Sequence, residues 1–161
     1  MKAIVIVHSE TGNTKLFADS IKNSIEKRNI ECTLVQIKTD IPMRNYNPSK
    51  QSITITNMPE VEGFDYVLVG GPVMGFQANP VIMKCLREMK SLSGKKFIPF
   101  VTQHFPFKFM GGSNAISMMS KSAEKSGAVV LSGSVINISW HDYKKDILKK
   151  SDEISLLIQT K

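Results

Sequence analysis

Three short stretches concentrate the residue types that can do chemistry. The first is Ser9-Glu10-Thr11-Gly12-Asn13-Thr14, which sets three hydroxyls, an amide side chain and a glycine between an apolar run and an amphipathic one. A helix N-terminus carries unpaired N–H groups and roughly half a positive charge, so it attracts phosphate. Gly12 would let the backbone come close to such a ligand. The stretch reads as a phosphate cradle, with a plain helix cap by Thr11 or Asn13 as the competing reading. The second stretch is Gly71-Pro72-Val73-Met74-Gly75-Phe76-Gln77-Ala78, and the third runs from Gln103 to Gly112. The third holds His104, Phe105, Phe107 and Phe109 and closes on Gly111-Gly112.

Several chemistries are excluded by what these stretches lack. The chain has neither G-x-x-x-x-G-K-[ST] nor G-x-G-x-x-G, which argues against triphosphates and against dinucleotides held in the usual Rossmann way. A terminal phosphate suits the hydroxyl-rich nest better. Cys32 and Cys85 lack metal-ligand spacing and lie on apolar faces, so they read as buried free thiols. A Ser-His-Asp set drawn from residues such as Trp140-His141-Asp142 has no supporting spacing and no nucleophile elbow. Trp140 reads as packing and Asp142 as a favourable first-turn carboxylate. His8 reads as structural. His104 reads either as a ligand contact and proton donor or as a solvated loop histidine. Phe105, Phe107 and Phe109 alternate as an edge strand would, but Pro106 and the paired glycines favour a lid or a partner-facing loop.

The elements that must position these stretches alternate between strand and helix. Lys2–Val7 is a nearly continuous apolar run, as in a parallel strand covered on both faces. The following helix places Phe17, Ile21 and Ile25 on one side and ends near Arg28-Asn29. Glu31–Ile37 reads as a second strand. Residues 38–63, broken by Pro42, Pro48 and Pro59, read as an irregular crossover with at most a turn or two of helix. Asp65–Gly70 is the third strand. Asn79 caps and Pro80 opens a helix that buries Ile82, Cys85, Leu86 and Met89. Phe97–Thr102 is the fourth strand, with Pro99 expected at a bulge or an early position. Ser113 or Asn114 is expected to cap the next helix, which Gly127 ends. Ala128–Ile138 is the fifth strand, and Asp142–Ile158 the last helix, with Tyr143, Ile147, Ile154 and Ile158 inward. The pattern is one α/β domain over residues 1–161, with no repeats and no linker. Ligands bind beyond the carboxyl ends of such strands, where all three stretches fall.

Bulk properties agree with a folded, cytoplasmic protein. Of 161 residues, 42% are hydrophobic and 22% charged, and no apolar run approaches the ~20 residues of a membrane span. Met1-Lys2 leads into too short an apolar run for a signal peptide. The net charge of +7 lies wholly in the second half, where thirteen Lys/Arg face six Asp/Glu. Most of these lysines fall on helix faces without interleaved aromatics, so they read first as solvated faces. An acidic redox partner comes next, and nucleic acid last.

Taken together, the stretches are similar to a known family. Ser9-x-Thr11-Gly12-x-Thr14 after an N-terminal strand resembles the FMN-phosphate signature of flavodoxins, and Val69-Gly70-Gly71-Pro72-Val73-Met74-Gly75 resembles their second flavin loop. The spacing of elements over essentially the whole chain is similar to theirs. The resemblance implies a three-layer αβα sandwich on a five-stranded parallel sheet in order 2-1-3-4-5. It implies that Ser9, Thr11 and Thr14 hydroxyls, with Gly12 and Asn13 amides, hold the FMN phosphate. Pro72, Val73, Met74, Gly75 and Phe76 would line the ring, with the Met74-Gly75 peptide free to turn its carbonyl toward flavin N5. Thr102, Gln103, His104, Phe105 and Gly111 would meet the ring from the third loop.

Two departures stand out. Phenylalanines and His104 occupy the place where the family usually sets Trp or Tyr on the flavin. The chain is also basic where electron-carrying flavodoxins are strongly acidic, and Phe76 stands where short flavodoxins commonly carry Asp. On Coulomb grounds this implies a less negative semiquinone/hydroquinone potential than is typical of the family. The expected function is an FMN-binding electron-transfer protein that meets a redox partner protein. The alternative is a small NAD(P)H-dependent quinone or flavin oxidoreductase using the same site. Loss of the flavin on a retained fold is the third class. A monomer or homodimer, with no metal, no nucleic acid and no membrane, completes the expectation.

Overall fold

The computed structural model describes every residue except 106, 108, 141 and 159–161. Pro106 and His141, used above, therefore lie outside the described residues. The chain runs β1 (Lys2–Val7), α1 (Asn13–Glu26), β2 (Glu31–Gln36), a 3-10 turn (Met43–Asn45), β3 (Tyr66–Pro72), α2 (Pro80–Glu88), β4 (Lys96–Gln103), α3 (Gly112–Lys125), β5 (Val129–Val130), β6 (Ser134–Asn137) and α4 (Tyr143–Leu157). All strand pairings are parallel, in the order β2-β1-β3-β4, with β5 and β6 both alongside β4.

Alternation along β1 shows how the three layers form. Ile4 and Ile6 join the core that includes Val81, Ile82 and Leu86 of α2 and Ala115 and Met119 of α3. Ala3, Val5 and Val7 join the opposite core, with Phe17 and Ile21 of α1 and Ile147 and Ile154 of α4. Successive side chains of a strand point to opposite faces, so a strand buried on both sides must be apolar throughout. The irregular crossover behaves as expected. In place of a full helix, it lays Met43, Ile53, Ile55 and Val61 onto the α2–α3 side, and an antiparallel bridge between Thr39 and Ile55 braces it.

The fifth strand and Pro99 depart from the expectation together. Pro99 sits mid-strand in regular register with Val69, neither at a bulge nor early. In this ladder the odd-numbered residues of β4 face the fifth strand: Leu131 N–H donates to the Phe97 carbonyl and Ile138 N–H to the Gln103 carbonyl. The missing donor of Pro99 therefore falls on that side. There the expected continuous strand Ala128–Ile138 is interrupted between β5 and β6. A proline that cannot donate is accommodated by a gap in its neighbour rather than by a bulge of its own.

Candidate functional site at the carboxyl edge of the sheet

The cradle is a turn between β1 and α1, and its backbone decides its chemistry. Gly12 has φ +96°, with nothing within 4 Å of where a Cβ would stand. The glycine is therefore required by conformation and not by crowding. Gly12 N–H donates to Ser9 Oγ at 3.1 Å, which tightens the turn. No side chain caps α1, and its first turn holds no acidic residue. The capping role considered for Thr11 or Asn13 is thus not realised, and the helix N-terminus keeps free amides for an anion. Glu10 points away from this work: its carboxylate accepts from Met43 N–H at 2.6 Å and so tethers the crossover.

Thr14 links the cradle to the third loop. It is buried, and its Oγ1 lies 2.7 Å from Oγ1 of Thr102 at the end of β4, itself buried. One hydroxyl of the pair donates to the other, and the acceptor keeps its own hydrogen for a third group. His8, which closes β1, is buried, and burial lowers its pKa below the ordinary histidine value while the Glu10 carboxylate opposes that shift. Its backbone N–H donates to the Gly70 carbonyl.

After β3 the chain makes a tight turn at Met74–Gln77. Gly75 and Phe76 have φ +55° and +61°, and the end residues exchange both backbone bonds, at 2.9 and 3.0 Å. Two successive positive φ values with an i to i+3 bond are the signature of a type I′ turn. Phe76, an aromatic residue in the left-handed region, costs about 1–2 kcal/mol there. Its surroundings hold it in place. Asn114 Nδ2 donates to its carbonyl at 3.1 Å, and its ring stacks on Phe105 with centroids 4.8 Å apart. A side chain at Gly111 would strike the Phe76 Cα at 2.8 Å. The Met74 carbonyl accepts from Gln77 N–H, so turning it outward means giving up that bond.

A buried side chain braces the loop after β4. Gln103 is buried and donates its amide hydrogens to the carbonyls of Phe105 and Phe107, at 2.7 and 2.8 Å. Its Oε1 has no partner among the described residues. Phe107 and Phe109 stack on each other with centroids 5.3 Å apart, and Phe109 is 79% exposed. His104 is exposed. The α3 cap also departs from expectation: Gly111, with φ +122°, takes the N-cap position in place of Ser113 or Asn114, and the helix begins at Gly112. At Gly111 a side chain would collide with Val73 and Phe76, so conformation outweighed a capping oxygen.

The predicted site residues therefore gather at one edge. Ser9, Thr11, Gly12, Asn13 and Thr14 form the first turn; Pro72 ends β3, and Val73, Met74, Gly75 and Phe76 follow it; Thr102 and Gln103 end β4, and His104, Phe105 and Gly111 follow it. Contacts join the second group to the third through Phe76 and Phe105, and the first to the third through Thr14 and Thr102. Sequence reasoning missed three side-chain braces: Asn114, the pairing role of the Gln103 amide, and the inner contacts of Asn79. Only the amide residue types, standing beside glycine- and aromatic-rich loops, could have signalled them. Trp140 corrects another expectation, since it is 53% exposed and not packed.

The remaining chemistry is inert. Burial pushes the Cys32 and Cys85 thiols up to about 12, and no group of His, Cys, Asp and Glu among the described residues is arranged to hold a metal. No helix among those residues is long and apolar enough to cross a membrane. Lysines of the basic half stand at the solvent, as with Lys121 and Lys125 on α3 and Lys144, Lys145 and Lys149 on α4.

No family model matches the chain, and no curated protein matches it by sequence. Solved structures do. Oxidised flavodoxin 1 from Bacillus cereus is similar at TM-score 0.68 and 20% identity, over 97% of this chain and 95% of that one. The two-electron reduced flavodoxin of Megasphaera elsdenii gives 0.63 and 19%, over 95% and 98%. A flavodoxin from the domain Archaea gives 0.59 and 15%, over 98% of both chains. Shared strand order, layers and near-complete coverage at this level of identity establish architecture, and the chain accordingly has the flavodoxin-like fold.

Proposed function

We propose that this chain binds FMN at the carboxyl edge of its sheet and passes electrons through it to and from a protein partner. The observation that carries the reading is the join between cradle and third loop, the 2.7 Å Thr14–Thr102 hydroxyl pair beside an uncapped helix N-terminus. The flavodoxins of matching architecture support it. The residues fit the group on two counts. Free first-turn amides with no competing carboxylate suit a phosphate dianion. Exposed Met74, Phe76 and Phe105 offer apolar surface for a flat aromatic ring.

FMN supplies one- and two-electron redox chemistry when bound. The protein's own part is binding and control. Ser9, Thr11 and Thr14 with the amide of Asn13 would hold the phosphate, the Gly12 amide joining them on release of Ser9 Oγ; the Phe76 turn and the Gln103-braced loop would orient the ring and exclude water from it. With net charge +7, the protein destabilises an anionic reduced cofactor less than an acidic scaffold would, and its field favours an acidic partner.

The test is a fluorescence and absorbance titration of the purified chain with FMN, followed by anaerobic reduction with dithionite and with NADPH. Saturable binding, with reduction by dithionite and no nicotinamide turnover, supports the carrier. Rapid catalytic bleaching by NAD(P)H would favour the quinone or flavin oxidoreductase instead. Absence of FMN binding would remove both readings.

A further inference from the structure

One buried amide touches both sides of the candidate site. Asn79 is 2% exposed at the N-cap of α2. Its Oδ1 accepts from Val81 N–H at 2.8 Å, a bond that fixes which end of the amide is oxygen. The Nδ2 end then has two partners. One is Nδ1 of His8 at 3.3 Å, and the other is Sδ of Met74, also at 3.3 Å. Because Nδ2 can only donate, His8 Nδ1 must accept, so the neutral ring carries its proton on Nε2. The amide has committed its oxygen and both hydrogens.

That commitment makes the arrangement sensitive to one proton. Protonating His8 turns Nδ1 into a donor facing another donor. The amide cannot rotate to offer its oxygen without surrendering the cap bond to Val81 and the bond to Met74. We propose that Asn79 is a positioning residue that couples the protonation state of His8 to the seating of Met74, and so links the cradle strand to the ring-facing turn. The functional meaning of Met74 rests on the FMN reading; the coupling itself does not.

Other charges bear on His8. Glu10 on its own turn favours the imidazolium. Lys38 and Arg44 of the crossover line with it a hollow of about 490 Å³. The β3 neighbour contributes a backbone carbonyl, Gly70, and α2 contributes Asn79 itself, neither of which titrates. Acid therefore acts on Met74 through the amide and not through a second ionisable group on α2.

The experiment uses the full chain without FMN, labelled with 13C at the methionine methyls, and follows Met74 and the His8 ring by NMR from pH 8 to pH 4. The expected result is a Met74 methyl shift with the midpoint of His8. In Asn79→Ser, which keeps a capping oxygen but has no amide hydrogens, His8 still titrates and the Met74 response is lost. Asn79→Thr, also a capping residue, with no amide hydrogens and no added ionisable group, provides the same test should the serine variant unfold. A Met74 methyl that stays still in the wild type overturns the proposal, as does one that follows His8 equally in both variants. Since no flavin is present, failure here and failure of FMN binding are read separately.

Discussion

The turn after β1 and the loops after β3 and β4 face the same edge but are built from opposite materials. The cradle is made largely by backbone: a positive-φ glycine and uncapped amides, with hydroxyls of which Thr14's is buried against Thr102 of β4. The ring-facing loops are made by side chains. Exposed phenylalanines stack in pairs, held by amides from Gln103 and Asn114, while the Asn79 amide holds Met74. Backbone donors at a helix end are fixed by the helix itself, so an anchor built from them needs little support. A surface of exposed aromatics has no such framework and depends on side-chain braces, each of which can be altered alone. The lesson is a division of labour in which, on the proposed function, the cradle would anchor and the braced loops would adjust.

The sharpest way to break the comparison is with two phenylalanines. Phe100 is fully buried, edge-on to Phe17 of α1 with centroids 5.3 Å apart. Phe100→Ala should cost about 3–5 kcal/mol in urea unfolding. Phe109→Ala, at the exposed tip, should stay within about 0.5 kcal/mol of wild type. Equal losses would mean that the loop is part of the core.

Anchoring is tested next. A hydrogen bond to a charged group contributes about 1.5–3 kcal/mol, so Thr14→Val should weaken FMN binding roughly 10- to 150-fold. Phe109→Ala in the same titration should leave affinity near wild type. Reversal of that order would exchange the roles of the two regions. Bracing is a smaller effect: Gln103→Met removes two donors from the Phe105 and Phe107 carbonyls, and stability should fall by about 1–3 kcal/mol. Amide exchange should quicken first in residues 104–111; a uniform change across the fold would contradict a local brace.

The pH dependence is smaller again. Burial lowers the folded-state pKa of His8 below its unfolded value of 6.5, so below that pH the unfolded chain binds the proton more readily. Stability is full above 6.5 and falls as pH drops toward and through the folded pKa. His8→Gln should flatten that part of a stability–pH curve, and an unchanged slope would place the origin elsewhere. The least effect is expected at the thiols. With both pKa values at about 12, neither Cys32 nor Cys85 should react with a thiol reagent at neutral pH until the chain unfolds.

Most of the architecture was legible because it rests on local pattern. The apolar run at Ala3–Val7, the Asn79-Pro80 start of α2 and the glycine-bearing turn of the cradle each state their structure within a few residues. Pro42, Pro48 and Pro59 likewise announced a crossover without a helix. The misreadings share a cause, which is a partner far away in sequence. The gap between β5 and β6 answers Pro99, some thirty residues before it. The α3 cap moved to Gly111 because Phe76 lies against it. Trp140 reads as core by type and is left outside by topology.

The same distinction holds for function. By itself the sequence determined the tight turn at the strand-to-helix junction, since a hydroxyl-rich, glycine-bearing stretch carries its donors with it. It also determined the parallel αβα class, through strands apolar on both faces. Only the tertiary structure decided that Thr14 would meet Thr102, that Phe76 would be held in a left-handed conformation against Phe105, and that one amide would join His8 to Met74. Those pairings depend on which strand ends lie side by side, and no local preference encodes that.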